Sequence, residues 1–222
     1  MLLPELREQV LETCLQMLRD GLSRVSEGNV SARHPGSGFI VITPSAIPYA
    51  KMKIEDLCVI TLDRRLIEGA WKPTSEIALH TLIYTCRPDV QAVVHTHAPY
   101  CSLFAVSGEP LPMVLTESAM LLGGEVTVAP YFTPGSEELA RATAETLADK
   151  PAALMANHGL ISVGPDLAAA YAATTAAEDT ARTVCLLRAM NAPIQALPPD
   201  TTARLRSAYL EKYHPTQASP ND

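Results

Sequence analysis

The chain has 222 residues, of which 47% are hydrophobic and 18% are charged, and its formal net charge is −7. This length and apolar content predict one compact domain over residues 1–222 with a sizeable buried core. Such an acidic chain lacks the basic face that nucleic-acid binding requires, and no apolar stretch is long enough to cross a bilayer. We therefore expect a soluble, cytoplasmic protein with no nucleic-acid partner and no membrane partner.

The N-terminal residues and the cysteines support the same location. Glu5, Arg7 and Glu8 interrupt the first apolar residues, so this stretch lacks the pattern of a secretory signal peptide. The five cysteines are an odd, scattered set without a C-x-x-C pair. We therefore expect reduced thiols rather than a disulfide framework.

Helical and strand patterns alternate along the chain. The predicted segments, in order, are a helix over 3–22, a loop around 28–29, strands over 39–42 and 58–62, a helix over 73–84, a strand ending at 95, a helix over 98–106, a short strand near 126, a helix over 136–148, a strand over 152–156, a long alanine-rich helix over 166–190 and a last helix over 201–213. The tail 214–222 is expected to be flexible, and the long helix is expected to pack across the sheet. This alternation predicts an α/β fold built in layers around a sheet, without defining strand direction.

Three histidines stand at the ends of predicted strands. His95 and His97 follow an apolar run, and residues i and i+2 of a strand point to the same side, so both imidazoles can converge on one cation. His158 follows a second apolar run. Three protein ligands with an open position are typical of a catalytic zinc site. A lone histidine at such a place is more often a hydrogen-bonded structural residue, and we interpret His80 as structural, in a helix.

Small polar turns lie beside these elements, at 28–31, 43–46 and 73–76. Their hydroxyl, amide and backbone N–H groups suit an anion, and Thr74 and Ser75 lie at the predicted start of a helix, where the dipole favours phosphate. Ordinary helix capping explains any one such turn equally well. Glu76, in the first turn of that predicted helix, would be the obvious base if it lay near a metal.

These residues together carry a family resemblance. The motifs, in chain order, are G-N-V-S (28–31), T-P-S-A-I-P-Y (43–49), P-T-S-E (73–76), V-V-H-T-H (93–97) and N-H-G-L (157–160). Each motif alone is weak, but five in this order resemble the class II aldolase/adducin family, most closely its L-fuculose-1-phosphate aldolase branch. The resemblance implies a three-layer α/β/α fold with a largely antiparallel central sheet. It also implies a fourfold-symmetric homotetramer, with one Zn²⁺ per subunit near the boundary between subunits.

The implied activity is zinc-dependent retro-aldol cleavage of a small phosphorylated sugar. The substrate would be a ketose 1-phosphate, such as L-fuculose 1-phosphate or a 5-deoxypentulose 1-phosphate, and the products dihydroxyacetone phosphate and a small aldehyde. The resemblance makes His95, His97 and His158 the zinc ligands. Glu76 becomes the catalytic carboxylate, which also reaches the metal when substrate is absent. The implied phosphate-binding positions are Gly28, Asn29, Ser45, Ala46, Thr74 and Ser75.

One departure from the family pattern concerns the aldehyde side of the site. The aldolase branch has a tyrosine from a neighbouring subunit in the segment before a Gly-Gly pair, where this chain has Glu117 and no tyrosine. Either Glu117 takes over this proton transfer, another tyrosine does so, or the aldehyde differs. Glu117 is also an ordinary acid for a helix N-terminus. Tyr213 lies where the branch has a tyrosine in a mobile tail, and an exposed aromatic residue is the alternative interpretation.

Other functions occur on the same scaffold. Sugar-phosphate 4-epimerases have Asp where this chain has Glu76, which counts against that reaction. Methylthioribulose-1-phosphate dehydratases and decarboxylases of phosphorylated oxo-acids keep similar Glu and His positions and stay open. The decarboxylases tend to have lysine where Ser75 stands, which favours the aldolase. A non-enzymatic, adducin-like assembly domain would be expected to lose the zinc ligands, which this chain retains.

Overall fold

A computed structural model describes residues 1–212 of the protein. The α-helices of this part are α1 (Pro4–Arg19), α2 (Ile77–Cys86), α3 (Pro99–Ser107), α4 (Thr116–Leu122), α5 (Glu137–Leu147), α6 (Leu167–Ala189) and α7 (Pro199–Lys212). The strands are β1 (Asn29–Arg33), β2 (Ile40–Ile42), β3 (Cys58–Ile60), β4 (Leu66–Glu68), β5 (Ala92–Thr96), β6 (Val128–Ala129), β7 (Ala152–Met155) and β8 (Gly159–Gly164). Among the helices of residues 1–212, none combines the length and the apolar character that a membrane span needs.

The eight strands form one sheet in the order β4-β3-β2-β1-β5-β8-β7-β6. Neighbouring strands are antiparallel except β6 and β7, which run parallel. The largely antiparallel sheet that the family resemblance implied is therefore confirmed. The register sets Asn29 of β1 opposite His95 of β5, and Ile161 of β8 opposite the same histidine on its other side. Residues that are distant in sequence thus meet at the centre of the sheet.

Helices cover both faces of the sheet, which confirms the three-layer α/β/α architecture. On one face, side chains such as Val30, Val94 and Leu160 pack with apolar residues of α1, α3 and α6. On the other face, Val93 and Ile161 pack with apolar residues of α2 and α5. The alternation along β5 therefore directs His95, two residues after Val93, toward the layer of α2 and α5.

Most predicted elements are present with small shifts at their ends. The first helix ends before Gly21, whose φ of 71° is the left-handed conformation of a glycine C-cap. Side chains of Ser136 and Asp166 cap α5 and α6 by accepting backbone N–H groups. As predicted, α6 packs across the sheet, against β5, β7 and β8.

Three predictions about local structure were wrong. The helix predicted over 73–84 begins only at Ile77, so Thr74 and Ser75 precede it and Glu76 is its N-cap. The strand predicted near 126 lies at Val128–Ala129, while Val126 forms an isolated bridge with Leu111. The loop predicted around 28–29 is the start of a strand at Asn29. Strands β1, β4 and β8 were not predicted, and helix α4 was anticipated only by the alternative interpretation of Glu117 as an acid at a helix N-terminus.

Candidate functional site

The three predicted ligand histidines come together at one end of the sheet. His95 is the fourth residue of β5, His97 follows the end of that strand, and His158 lies in the turn that joins β7 to β8. Their ring centroids are 4.7 to 5.2 Å apart. One nitrogen of each ring lies within 4.8 Å of the others. The strand pairing therefore builds the cluster of imidazoles that the sequence pattern predicted.

Two glycines allow the strands to approach closely enough for this cluster to form. A Cβ atom on Gly159 would lie 2.4 Å from the Thr96 carbonyl oxygen and 3.3 Å from Cε1 of His95. Gly28 has a φ of +76°, and a Cβ atom there would lie 2.3 Å from the His95 carbonyl oxygen. A larger residue at either position would force the neighbouring backbone to move. The glycines of G-N-V-S and N-H-G-L are thus explained by backbone packing around His95.

Glu76 projects its carboxylate from the N-terminus of α2 onto the histidines. Its Oε2 atom lies 3.1 Å from Nε2 of His95, and Oε1 lies 3.6 Å from Nε2 of His158. The Asn29 side-chain amide donates a hydrogen bond of 2.8 Å to Oε2. The glutamate is 5% exposed. A carboxylate, an amide and three imidazoles therefore share one largely buried site.

Burial and mutual charge shift the ionisation of these groups. Burial alone would raise the pKa of Glu76, but His95, His158 and the Asn29 amide together hold that pKa well below its usual range. Burial, together with charge on His95, lowers the pKa of His97 and of His158 to about 4. Burial opposes charge on His95 as well, yet the Glu76 carboxylate outweighs it and raises that pKa. Near neutral pH, His97 and His158 are thus neutral, as metal ligands must be.

The donor atoms of this site fit a divalent metal ion. The Nδ1 atom of His95 donates to the Leu160 carbonyl oxygen at 2.9 Å, which leaves Nε2 as the free lone pair on the side of Glu76. That Nε2 atom and Oε1 of Glu76 are buried without a hydrogen-bond partner. Buried polar atoms without partners are costly unless something else binds them. The second ring nitrogen of His95 is fixed by a carbonyl, as is usual for metal-ligating histidines.

A pocket of about 250 Å³ opens directly on this cluster. Its lining includes His97, His158 and Glu76 together with every position that the resemblance assigned to phosphate: Gly28, Asn29, Ser45, Ala46, Thr74 and Ser75. Ser26, Glu27, Pro44 and Pro134 complete the lining. A larger open cleft, between α1 and the start of α6, shares no lining residue with this pocket and contains none of its chemistry.

Of the two residues proposed for the aldehyde side of the site, Glu117 and Tyr213, the structure describes only Glu117. Glu117 is exposed in the first turn of α4 and does not line the pocket. Tyr213 lies outside the described residues. Sequence reasoning missed Glu27 and Pro134 at the pocket, since neither belongs to a motif. It also missed that His80, interpreted as structural, reaches Asn29 through its Nε2 atom.

Comparison with known proteins identifies a family and relatives of this chain. The family model described as "Class II Aldolase and Adducin N-terminal domain" matches residues 8–185. The chain is 35% identical to a 5-deoxy-D-ribulose 1-phosphate aldolase of Bacillus thuringiensis serovar kurstaki, over 94% of this chain and 97% of that protein. It is 33% identical to an L-fuculose phosphate aldolase of Escherichia coli O6:H1, over 94% of each chain.

Similarity extends to the fold. A solved structure of an L-fuculose 1-phosphate aldolase superposes with a TM-score of 0.89 at 27% identity, covering 93% of this chain and 96% of that one. Sequence relatives above 30% identity and this structure agree over nearly the whole chain. The chain therefore belongs to the class II aldolase and adducin N-terminal domain family.

Proposed function

We propose that the protein is a zinc-dependent aldolase that cleaves a ketose 1-phosphate into dihydroxyacetone phosphate and a small aldehyde. The observation that carries this proposal is the Glu76 carboxylate, held against three converging imidazoles at the base of a polar pocket. The named relatives act on L-fuculose phosphate and on 5-deoxy-D-ribulose 1-phosphate. Both are ketose 1-phosphates, so we assign the same substrate class to this chain.

His95, His97 and His158 would hold the zinc ion, and Glu76 would complete the ligand set when substrate is absent. Bound zinc would act as a Lewis acid toward the oxygens beside the breaking C3–C4 bond. Three histidines and a carboxylate are a donor set typical of catalytic zinc. The same residues also suit other divalent ions, so zinc is part of the proposal.

Glu76 is proposed to move the proton at carbon. When the C3–C4 bond breaks, its electron pair stays with the fragment that becomes dihydroxyacetone phosphate. Glu76, protonated at this stage, gives its proton to the carbon that becomes the hydroxymethyl group, while the C4 hydroxyl proton leaves to a second group. Proton exchange with solvent returns both groups to their starting state. In the condensation direction the carboxylate removes that proton. Its neighbours favour the charged form that serves as a base in that direction.

The aldehyde half requires a second proton transfer, from the C4 hydroxyl. We propose Glu117, reaching the site from a neighbouring subunit, or Tyr213 for this step. The exposure of Glu117 on α4 supports such a role, since the side chain is accessible to another copy of the chain. A homotetramer with its sites near subunit boundaries, formed by one domain per chain over 1–222 in the cytoplasm, belongs to the same proposal.

The phosphate is proposed to bind at the polar turns of the pocket. Its described lining contains no lysine or arginine, so hydroxyl, amide and backbone groups of Asn29, Ser45 and Ser75 would provide the hydrogen bonds. Thr74 also accepts from the Glu76 backbone N–H at 3.3 Å, which ties the turn to the carboxylate. Anchoring the phosphate there fixes the reacting carbons against the metal ligands.

The test is release of dihydroxyacetone phosphate from purified protein and a panel of ketose 1-phosphates, including L-fuculose 1-phosphate and 5-deoxy-D-ribulose 1-phosphate. We expect release that a chelator abolishes and that added Zn²⁺ restores. The ratio of rates across the panel identifies the aldehyde. No release from protein with one zinc per chain would refute the aldolase and favour the dehydratase or decarboxylase reaction.

A further inference from the structure

A buried chain of hydrogen bonds lies behind Glu76. The Asn29 amide that donates to Glu76 contacts Nε2 of His80 through its own Oδ1 atom. The Nδ1 atom of His80 lies 2.7 Å from Oγ of Ser31. The same Oγ atom lies 2.8 Å from the Tyr84 hydroxyl. Four hydrogen bonds therefore connect a tyrosine deep in the core to the proposed catalytic carboxylate.

The sequence builds this chain from two regular elements. One face of α2 carries the N-cap residue Glu76 and, at intervals of four residues, His80 and Tyr84. Asn29 and Ser31 are spaced by two on β1, and so point to the same face of the sheet. The helix residues and the strand residues alternate along the chain of hydrogen bonds. Each bond thus joins α2 to β1.

The chemistry of the groups fixes the direction of every bond. An ionised carboxylate only accepts, so Asn29 must present its NH₂ group to Glu76 and its carbonyl oxygen to His80. That oxygen also only accepts, so Nε2 of His80 must carry the ring proton and Nδ1 must accept from Ser31. The Ser31 oxygen then accepts from the Tyr84 hydroxyl. All four protons point toward Glu76.

Burial prevents water from replacing any member of the chain. His80 and Ser31 are fully buried, and Tyr84 is 1% exposed. Burial also lowers the pKa of His80 to about 3, so the ring stays neutral. If the Asn29 amide turned over, its oxygen would face the carboxylate and its NH₂ would face Nε2–H of His80, and two buried bonds would be lost. The amide therefore has one stable orientation.

We propose that His80 is a positioning residue for Glu76: by donating from Nε2 to Asn29, it locks the amide that holds the carboxylate against the histidine cluster. This inference rests on the proposed function for the catalytic role of Glu76. The alternative is that His80 only fills the core with its hydrogen bonds satisfied. The two interpretations predict different geometry at Glu76 when one hydrogen bond behind it is removed and helix α2 stays folded.

Four variants separate these alternatives. His80→Leu removes both bonds of the ring, whereas His80→Gln keeps one donor and one acceptor. Ile83→Ala is the matched control, because Ile83 is fully buried on the same helix but takes no part in the chain. Ser31→Ala removes the hydrogen bonds of the Ser31 hydroxyl, one bond further from Glu76. It serves as the second test if His80→Leu does not fold.

The first readout is the protonation state of the His80 ring. It is measured by ¹⁵N NMR on zinc-loaded protein with labelled histidines. The His80 signals are assigned by their absence from the His80→Gln spectrum. We expect a neutral ring with the proton on Nε2 from pH 5 to pH 9. His95 is expected to show the opposite tautomer, since its Nδ1 atom donates to Leu160. A His80 ring that is charged in this range, or protonated on Nδ1, overturns the inference whatever the enzyme catalyses.

The second readout is the site, with Co²⁺ as the probe in place of zinc. We expect His80→Leu to bind one Co²⁺ per chain through the three histidines but to change the visible absorption of the substrate-free protein, because Glu76 is no longer held. Its kcat is expected to fall about 10- to 100-fold, the usual cost of losing a group that orients a metal ligand. Its KM is expected to stay within about threefold, and His80→Gln is expected to recover most of the loss.

The Ile83→Ala control is expected to unfold at a lower temperature while its kcat and Co²⁺ spectrum stay those of the wild type. If His80→Leu, or Ser31→Ala in its place, has the Co²⁺ spectrum and kcat of this control, His80 is only a core residue and the inference is wrong. If the wild type cleaves no ketose 1-phosphate, the proposed function fails. The NMR and Co²⁺ spectra then still decide the role of His80.

Discussion

At the scale of single residues, the site depends on the chemistry of Glu76. We expect Glu76→Gln to keep the fold and the zinc, because the amide is the same size and its oxygen can still accept from Asn29. Turnover should fall by about 10² or more, the scale of a lost general acid/base. Steady-state release of dihydroxyacetone phosphate, with zinc content by atomic absorption, measures both. Glu145→Gln on the exposed face of α5 is the control, and unchanged turnover in Glu76→Gln would remove this residue from the mechanism.

Gly159 lies where a larger residue would collide with the neighbouring backbone. An alanine Cβ would lie 2.4 Å from the Thr96 carbonyl oxygen, so β5 and β8 would have to separate between two of the histidines. We expect Gly159→Ala to lower the free energy of unfolding by about 1–3 kcal/mol, as for other overpacked interiors, and to weaken zinc binding. Urea unfolding and zinc titration measure these losses.

Gly124 provides the comparison for that substitution. A Cβ there meets nothing within 4 Å, so Gly124→Ala is expected to change neither stability nor zinc affinity. Equal stability and zinc affinity in the two alanine variants would show that β5 and β8 can separate at Gly159 without loss of stability or of zinc binding.

At the scale of elements, β1 shows why part of the fold was not predicted. Its residues alternate in polarity: Val30 and Ala32 enter one apolar layer, while Asn29 and Ser31 face α2. A buried strand normally reads as apolar on both faces. Here one face carries polar groups of the site, and the sequence resembles a loop. β8 was missed for a related reason, since it begins and ends with glycine.

The histidine cluster was predictable because its signal is local. His95 and His97 follow an apolar run at strand spacing, and His158 follows a second run. The contact between Asn29 and Glu76 joins residues 47 positions apart and depends on how α2 crosses β1. No spacing rule gives such a crossing. The family resemblance brought these residues to one site, but not the hydrogen bond between them.

At the scale of the whole molecule, the buried histidines make stability depend on pH. The His80 ring stays neutral in the folded chain, with a pKa of about 3, but takes up a proton near pH 6.5 once unfolded. The unfolded state therefore binds more protons as pH falls from about 6.5 toward 3, and stability falls over that window. At pH 5, about 1.5 pH units below the unfolded pKa, His80 lowers the free energy of unfolding by on the order of 2 kcal/mol, since each unit corresponds to about 1.4 kcal/mol.

We expect the metal-free protein to lose stability between pH 7.5 and pH 5.0, and metal-free His80→Gln to lose about 2 kcal/mol less. His97 and His158, whose pKa values are also lowered, add the same loss to both proteins, so the difference isolates His80. Urea unfolding at the two pH values measures it. Equal losses in the two proteins would mean that His80 accepts a proton in the folded state.

The proposed tetramer predicts that exposed apolar side chains of the single chain are covered in solution. Val106, near the end of α3, is 64% exposed, and Met190, directly after α6, is 72% exposed. These two helices pack together, with Arg188 of α6 lying over the Phe104 ring of α3. Exposed apolar residues on packed neighbouring helices are typical of a subunit contact.

Light scattering on the wild type should give a mass of roughly 95 kDa, four times the 23.8 kDa of the chain. Because a charge buried without a partner is costly, Val106→Glu combined with Met190→Glu should shift this mass toward that of the single chain. Glu145→Lys, on the exposed face of α5, should leave the mass unchanged. If the double variant keeps the full mass, the contact lies elsewhere on the molecule. If the double variant dissociates and also loses aldehyde release while its zinc stays bound, a group from the neighbouring subunit completes the site, as proposed for Glu117 or Tyr213.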